Sequence, residues 1–371
     1  MPSSARGWSI PVLAYHALGP RAGVGPESFS AHLRALASSG LPSLAPAQLG
    51  SAPRGFLLTF DDGFADLWTH GYPLLRDHGI RAAVFVIPSR TGEGPVRPFG
   101  FPGPPVCESD AHGEAARTGG AHPAFLRWSE LAALESSGLV TVQSHSFSHA
   151  TGWVGDEIIG FHLGAHGKRH WSLVQCTGGD ERLGIPRYRR GSALAHRLYH
   201  DDPALRDHLA RWLAARGGEA YVAERGADAV SRELAAEARV FRAGRRGGGQ
   251  WESEEKRMQR TLEELRRARH DLEARLGGPR DELCLPWGEY DEVTLECARK
   301  AGIRRVYTLD RGPNPAGRIG FLVNRFEARA RGPLWLRLRL WIYRSTVRAS
   351  LYGKASRPGP KRSGRPGSGI S

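Results

Sequence analysis

The chain is poor in sulfur, with two methionines and four cysteines in 371 residues. Cys107, Cys176, Cys284 and Cys297 are scattered and include no Cys-x-x-Cys pair. This argues against a disulfide framework and against a cysteine-built zinc site. Long hydrophobic runs are also missing. Residues 1–14 hold none long enough for a signal peptide, and no stretch is long enough to span a bilayer, so the expected location is cytoplasmic. Acid is absent from the end of the chain. After Ala330 there is no Asp or Glu, against ten basic residues from Arg331 to Arg365. That end carries +10 of the formal net charge of +14, leaving only +4 on everything before it. Charge so confined argues against a body built to bind nucleic acid.

What is present suffices for a large core: 40% hydrophobic residues and ten tryptophans. The length allows one large domain with insertions or two domains. The informative stretch is Gly55 to Phe64, GFLLTFDDGF. Phe56 to Phe60 is a short apolar run, the pattern of a strand buried on both faces in a parallel sheet. It ends in Asp61-Asp62-Gly63, followed by the helix-like Ala65-Asp66-Leu67-Trp68. Such a tripeptide is a common strand-to-helix turn. It also sits at the carboxyl end of a strand, where α/β folds place their chemistry. Two adjacent carboxylates repel each other, and a cation between them relieves the repulsion.

A second stretch favours the chemical reading. His145-Ser146-Phe147-Ser148-His149 follows the β-rich run Leu139 to Ser144. Two histidines four apart can aim both imidazoles at one ion. With one strand-end carboxylate they form a three-ligand set that leaves a coordination position open.

Thr59-Phe60-Asp61-Asp62-Gly63 and His145 to His149 resemble the first and second motifs of the polysaccharide deacetylases, the NodB-homology family. Leu285-Pro286-Trp287-Gly288-Glu289-Tyr290-Asp291 resembles the third, and the likeness runs from about Pro11 to Arg325 with a large interruption. The resemblance implies a distorted (β/α) barrel of about seven strands. It implies Asp62, His145 and His149 as ligands of a divalent metal (Zn2+ first; Co2+, Ni2+ or Fe2+ next) and Asp61 as catalytic base. It also implies a substrate wall of Pro286, Trp287, Gly288 and Tyr290, and an oxyanion held partly by backbone N–H groups after Asp62. The layout is most similar to the poly-N-acetylglucosamine deacetylases, in which a Tyr-His near the amino terminus supplies the catalytic histidine. Here that residue is His16, after Tyr15. Many members carry an arginine two residues before the motif-three proline that orients the base. Cys284 stands there instead, so the partner of the base is unassigned.

In chain order, Pro11 to His16 reads as the first strand, Phe29 to Ser39 as a helix and Arg81 to Ile87 as a strand. Arg90 to Pro123 reads as a Gly/Pro-rich loop, and Ser129-Glu130 as the start of a helix that runs to Gly138. The strand-then-helix rhythm predicts a parallel barrel or sheet. Residues 155–250 break that rhythm and are expected as a mainly helical insertion in a barrel of residues 8–330. Its helices start at Asp202-Pro203 and around Val230. His162, His166 and His170 in it read as a second metal site or as exposed histidines. Glu254 to Leu276 is the clearest helix, with Ser253 as N-cap and Met258, Leu262, Leu265, Leu272 and Leu276 as its stripe. Its charges read as a solvated face. Residues 331–371 read either as a final barrel helix with a basic end or as a basic amphipathic tail, disordered late, that touches an anionic membrane.

The expected function is therefore metal-dependent removal of an N-acetyl or other N-acyl group from an amino sugar, on a glycan or a lipid-linked saccharide. The alternatives are an O-acetyl esterase acting on a polysaccharide and a catalytically silent carbohydrate-binding relative. No specific nucleic acid is expected as a partner.

Overall fold

Eight short strands form one parallel sheet in the computed structural model, which describes residues 7–19, 23–101, 108–166, 171–244 and 248–355. They are β1 Val12–Tyr15, β2 Leu57–Phe60, β3 Ala82–Val86, β4 Val140–Ser144, β5 Glu282–Cys284, β6 Arg305–Tyr307, β7 Leu322–Val323 and β8 Phe326–Glu327. Neighbours follow chain order from β1 to β7, and β8 returns to pair with β1, all in parallel. That circular order is the NodB-like (β/α) barrel, with eight strands where about seven were expected. It is open between β7 and β8, which only Asn324 and Arg325 connect.

Strand alternation divides the core in two. Val12, Leu57, Ala83, Phe85, Cys284, Tyr307 and Val323 fill the barrel interior. Leu13, Tyr15, Leu58, Phe60, Val84 and Val142 face outward onto a helical layer with Phe29, Leu33, Leu36, Leu131 and Leu134. Because side chains alternate along a strand, continuing the inward series past the strand ends points His16, Asp61, His145 and Arg325 at the barrel mouth. The same period that builds the core thus delivers the site.

The helix Glu254–Leu276 is as expected, with the Ser253 side chain accepting from Lys256 N and Gly277 at its end. Its buried face is Arg257, Thr261, Leu265, Ala268 and Leu272, turned about one residue from the expected stripe. Arg257 is drawn inward by an ion pair with Asp291 at 2.6 Å. Two expectations are corrected. The segment read as a loop contains a helix, Glu108–Thr118, whose buried face of Ala111, His112, Gly113 and Ala115 is too small-sided to give a periodic signal. The next helix begins at Trp128, with Glu130 accepting from the Arg127 backbone N–H, so Ser129 is not its cap.

Between β4 and β5 the chain builds a four-stranded sheet from Thr151–Trp153, Arg190–Ser192, Tyr199–His200 and Gln250–Trp251. Helices Pro203–Ala214 and Ala227–Ala243 share a separate apolar cluster of Leu205, Leu209, Leu213, Val230 and Leu234. The segment after Ala330 is helical at Pro333–Tyr343 and Thr346–Ala355. Leu336, Leu340, Tyr343 and Ala349 pack into the outer barrel core. This stretch is therefore a last barrel layer; residues 356–371 lie outside the described residues. No helix among the described residues is long and apolar enough to cross a membrane.

Candidate active site

Four non-glycine residues among those described have positive φ: Asp62 (67°), Ser146 (64°), His149 (52°) and Trp287 (56°). All four lie in the loops at the carboxyl ends of β2, β4 and β5. A left-handed backbone is costly for such residues and persists where the surroundings impose it. At Asp62 it breaks the strand alternation, so that two consecutive carboxylates reach the barrel mouth. Gly63 must be glycine here: its φ is +75°, and a Cβ would lie 2.8 Å from Val86 Cγ1.

Asp62, His145 and His149 converge on one point. Nε2 of His145 lies 3.4 Å and Nε2 of His149 3.5 Å from Asp62 Oδ1. All three side chains are buried and offer ligand atoms within 4.8 Å of one another. Asp62 Oδ1, buried, has no hydrogen-bond partner. A buried carboxylate oxygen left without a donor fits a metal ion at this point. The tautomer fits too. His145 Nδ1 lies 2.9 Å from the Cys284 carbonyl, so the Nδ1–H donates there and Nε2 is the ring nitrogen that faces the cluster. Burial holds the His149 imidazole well below its usual pKa, hence neutral, as a ligand must be. Asp61, His145 and Cys284 form another close group. Its atoms are already engaged, because Arg325 takes Asp61 and the Cys284 sulfur.

Arg325 is the residue that sequence reasoning missed. Its Nη1 donates to Asp61 Oδ1 at 2.7 Å and to Thr59 Oγ1 at 3.0 Å; its Nη2 donates to Asp61 Oδ2 at 2.8 Å. Nη2 also lies 2.9 Å from Cys284 Sγ. The guanidinium therefore enters from the link between β7 and β8 and occupies the space above Cys284. Burial works to raise the Asp61 pKa, but Arg325 overcomes it and, with His145 and His16, holds the carboxyl below the usual range. The only sequence signal was the inward parity of Val323 continued two residues on.

His16 stands at the end of β1, about one-third exposed, with Nε2 3.9 Å from Asp61 Oδ2. Trp287 meets His149 edge to face at 4.2 Å. Pro286 is buried, Gly288 (φ +66°) lies against Leu309, and the Tyr290 hydroxyl donates to Asp310. Of the expected site residues, His16, Asp61, Asp62, His145, His149 and Trp287 stand together, while Tyr290 packs against the cluster of Leu285, Leu295 and Ile303. The Gly63 N–H is spent on the Asp61 carbonyl at 2.8 Å, so it is not an oxyanion donor.

Three further neighbours were not foreseen. His112 places Nε2 3.3 Å from Asp62 Oδ2, making a third histidine around that carboxylate. Trp171, from the insertion, stacks on His112 at 4.9 Å and faces Trp287 at 6.1 Å. Glu264, on the helix read as solvated, accepts from the Ser148 backbone N–H at 2.6 Å and its hydroxyl at 2.7 Å, pinning the histidine loop. His162 and His166 lie in no such cluster among the described residues, and His170 lies outside those residues.

A parallel barrel with a buried carboxylate–histidine group and a second carboxylate at its mouth defines a hydrolase-type α/β barrel. The family model described as polysaccharide deacetylase matches residues 51–154, which carry both the Asp61-Asp62 turn and the histidine loop. YxkH of Bacillus subtilis (strain 168), assigned to the same group, is 30% identical over 22% of this chain. The chain matches 33% of that protein, about a third of its length. The fold is similar to that of IcaB from Ammonifex degensii (TM-score 0.50, 17% identity, 90% of this chain and 97% of that one). It is similar also to a de-N-acetylase from Aggregatibacter actinomycetemcomitans (TM-score 0.52, 14% identity, 86% and 95%).

Proposed function

We propose that the chain is a metal-dependent hydrolase that removes an N-acetyl, or other N-acyl, group from an amino sugar of a glycan or lipid-linked saccharide. The observation that carries this is the pairing of two unlike carboxylates on adjacent residues. Asp62 faces the Nε2 atoms of His145 and His149 with an oxygen left over, whereas Asp61 is held ionised by Arg325. One suits a ligand and the other a base.

Asp62, His145 and His149 would hold the divalent ion, and their mixed oxygen and nitrogen donors suit Zn2+, with Co2+, Ni2+ or Fe2+ as alternatives. Such an ion lowers the pKa of water and polarises an amide carbonyl. Asp61 accepts a proton from the attacking water. Arg325 occupies one lone pair on each of its oxygens and leaves another on each. His16, at the open side of the mouth, donates a proton to the departing sugar amine. Trp287 and Trp171, 6.1 Å apart and both against His149, offer the sugar apolar surface beside the cluster. The products are acetate and a free amine.

The test is mass spectrometry of N-acetylated amino-sugar oligomers after incubation with metal-reconstituted protein. Loss of the acetyl mass at nitrogen is expected, and unchanged substrate with fully loaded protein overturns the proposal. O-acetylated xylan run in parallel distinguishes an esterase.

The exposed face of the last two helices supports a location at a membrane. Leu334, Leu338 and Trp341, at helical spacing, and Val347 and Leu351 are exposed in a segment without one acid. Basic and aromatic side chains together suit peripheral contact with an anionic bilayer. Sedimentation with anionic liposomes should retain the protein, and Leu338→Ser with Trp341→Ser should release it. Equal retention of both overturns the contact. Cell fractionation checks the expected cytoplasmic location.

A further inference from the structure

His112 is the third histidine at Asp62 and stands outside the ligand set. It comes from the helix Glu108–Thr118, between β3 and the helix that begins at Trp128, and it is buried. Its Nε2 lies 3.3 Å from Asp62 Oδ2, whereas the Nε2 atoms of His145 and His149 lie 3.4 and 3.5 Å from Oδ1. The carboxylate is thus divided: one oxygen faces two imidazoles and the other faces a third. The close group of ligand atoms comprises Asp62, His145 and His149 and does not extend to His112. A fourth ligand to the same ion is therefore not what this ring provides.

The tautomer of the ring follows from its surroundings. Nδ1 is buried and has no hydrogen-bond partner. A proton on Nδ1 would strand a buried N–H and set the Nε2 lone pair against a carboxylate oxygen. A proton on Nε2 avoids both costs, because that N–H faces Asp62 Oδ2.

The ring is also held in place. Phe64 and Phe125 meet it edge to face, each at 5.4 Å, and Trp171 stacks on it at 4.9 Å with 23° between the planes. Gly113 leaves room for that stacking, since a Cβ there would lie 3.2 Å from Trp171 Cβ. Packing from the barrel on one side and from the insertion on the other thus sets where Nε2 points.

We propose that His112 is a positioning residue that holds Asp62 Oδ2 and so confines the carboxylate to one ligating oxygen, Oδ1. The inference rests on the proposed metal-dependent deacylase reading for the purpose of the site, and on the contacts of the ring for its role. A carboxylate free to turn can chelate through both oxygens and fill a position that a catalytic site must keep open. Hydrogen bonds from outside the ligand set are what orient a ligating carboxylate. His112 does for Asp62 what the Cys284 carbonyl does for His145.

The experiment compares His112→Phe and His112→Gln with the wild-type full chain, read first as zinc affinity by competition against a chelator. Phe keeps an aromatic ring against Trp171 and Phe64 and removes the N–H; Gln discards the ring and can present an amide N–H. His112→Phe should bind zinc about 10–100-fold more weakly, the range for outer partners of metal ligands, and His112→Gln should recover part of that loss. Wild-type affinity in His112→Phe, or weaker binding in His112→Gln than in His112→Phe, would make the ring a packing element and overturn the proposal. X-ray absorption of the zinc-loaded chains should count two imidazole ligands in wild type and His112→Phe alike. A count falling from three to two would make His112 a ligand and overturn the proposal from the other side. The wild-type spectrum should also show one carboxylate oxygen bound, and chelation by two would overturn it without any substitution. Because affinity and coordination are read without turnover, the expected pattern with no acetate released would reject the deacylase reading alone. Acetate release with unchanged zinc affinity in His112→Phe would reject the role of His112 alone.

Discussion

Arg325 grips Asp61 with both terminal nitrogens, at 2.7 and 2.8 Å, and both side chains are buried. The bridge joins the end of β2 to the link between β7 and β8 and holds the Asp61 carboxylate charged in one contact. Replacing Arg325 with Met leaves a buried carboxylate without its counter-charge. Such a break costs about 3–5 kcal/mol. Urea unfolding should show this loss, and Arg325→Met with Asp61→Asn should recover much of it without recovering turnover. An unchanged midpoint in Arg325→Met would sink the assignment.

Asp62→Ala, His145→Ala and His149→Ala should each abolish metal binding, while Asp61→Asn keeps the ion and loses turnover. The difference follows from Asp61 being committed to Arg325 while Asp62 Oδ1 is unpartnered. Elemental analysis of the purified variants decides it. A full complement of metal in His145→Ala contradicts the ligand set.

His16→Ala should keep metal and substrate affinity but lose roughly 10²–10⁴-fold in kcat, the usual contribution of a general acid or base. Steady-state kinetics with KM and kcat separated gives the answer. Normal kcat would place the acid elsewhere, and His112, 3.3 Å from Asp62, is the next residue to test.

Glu264 acts through the loop rather than on substrate. Glu264→Ala frees Ser148 and lets His149 wander, which should weaken metal affinity by about 10–100-fold, the range for outer partners of metal ligands. Competition against a chelator of known affinity measures this, and an unaltered dissociation constant would show that the loop holds its shape unaided.

Asp66 predicts a pH dependence of stability. Its Oδ2 accepts from Leu18 N at 2.7 Å and Gly19 N at 2.8 Å, and burial pushes its carboxyl up to about 7 from 3.8. Between those values the folded chain binds more protons than the unfolded one, so this group's contribution falls as pH rises from about 4 to 7 and is flat above. Asp66→Asn keeps an acceptor oxygen and removes the titration. The loss in urea midpoint from pH 5 to pH 7.5 should therefore shrink in the variant; an identical slope would rule Asp66 out as its source.

Much of this was local and hence legible. Apolar runs of four or five residues marked the strands, Ser253 and Gly277 bounded the long helix, and Asp61-Asp62 and His145–His149 stood at strand ends where the fold puts them to use. Spacing within a motif survives folding, because it is fixed by the backbone period. What tertiary structure alone decided were meetings across long stretches of chain. Arg325 was one basic residue among 52 until the seam of the barrel set it against Asp61. His112 lay in a segment with too few large apolar side chains to announce a helix, and Trp171 in an insertion whose return to the mouth no periodicity encodes. The helix after Gly332 showed its Leu, Trp and Arg pattern in sequence. Which side would be buried was settled only when Leu336 and Leu340 met the barrel and left Leu338 and Trp341 facing outward. A sequence specifies which side chains share a face, but the partner of that face is chosen by packing.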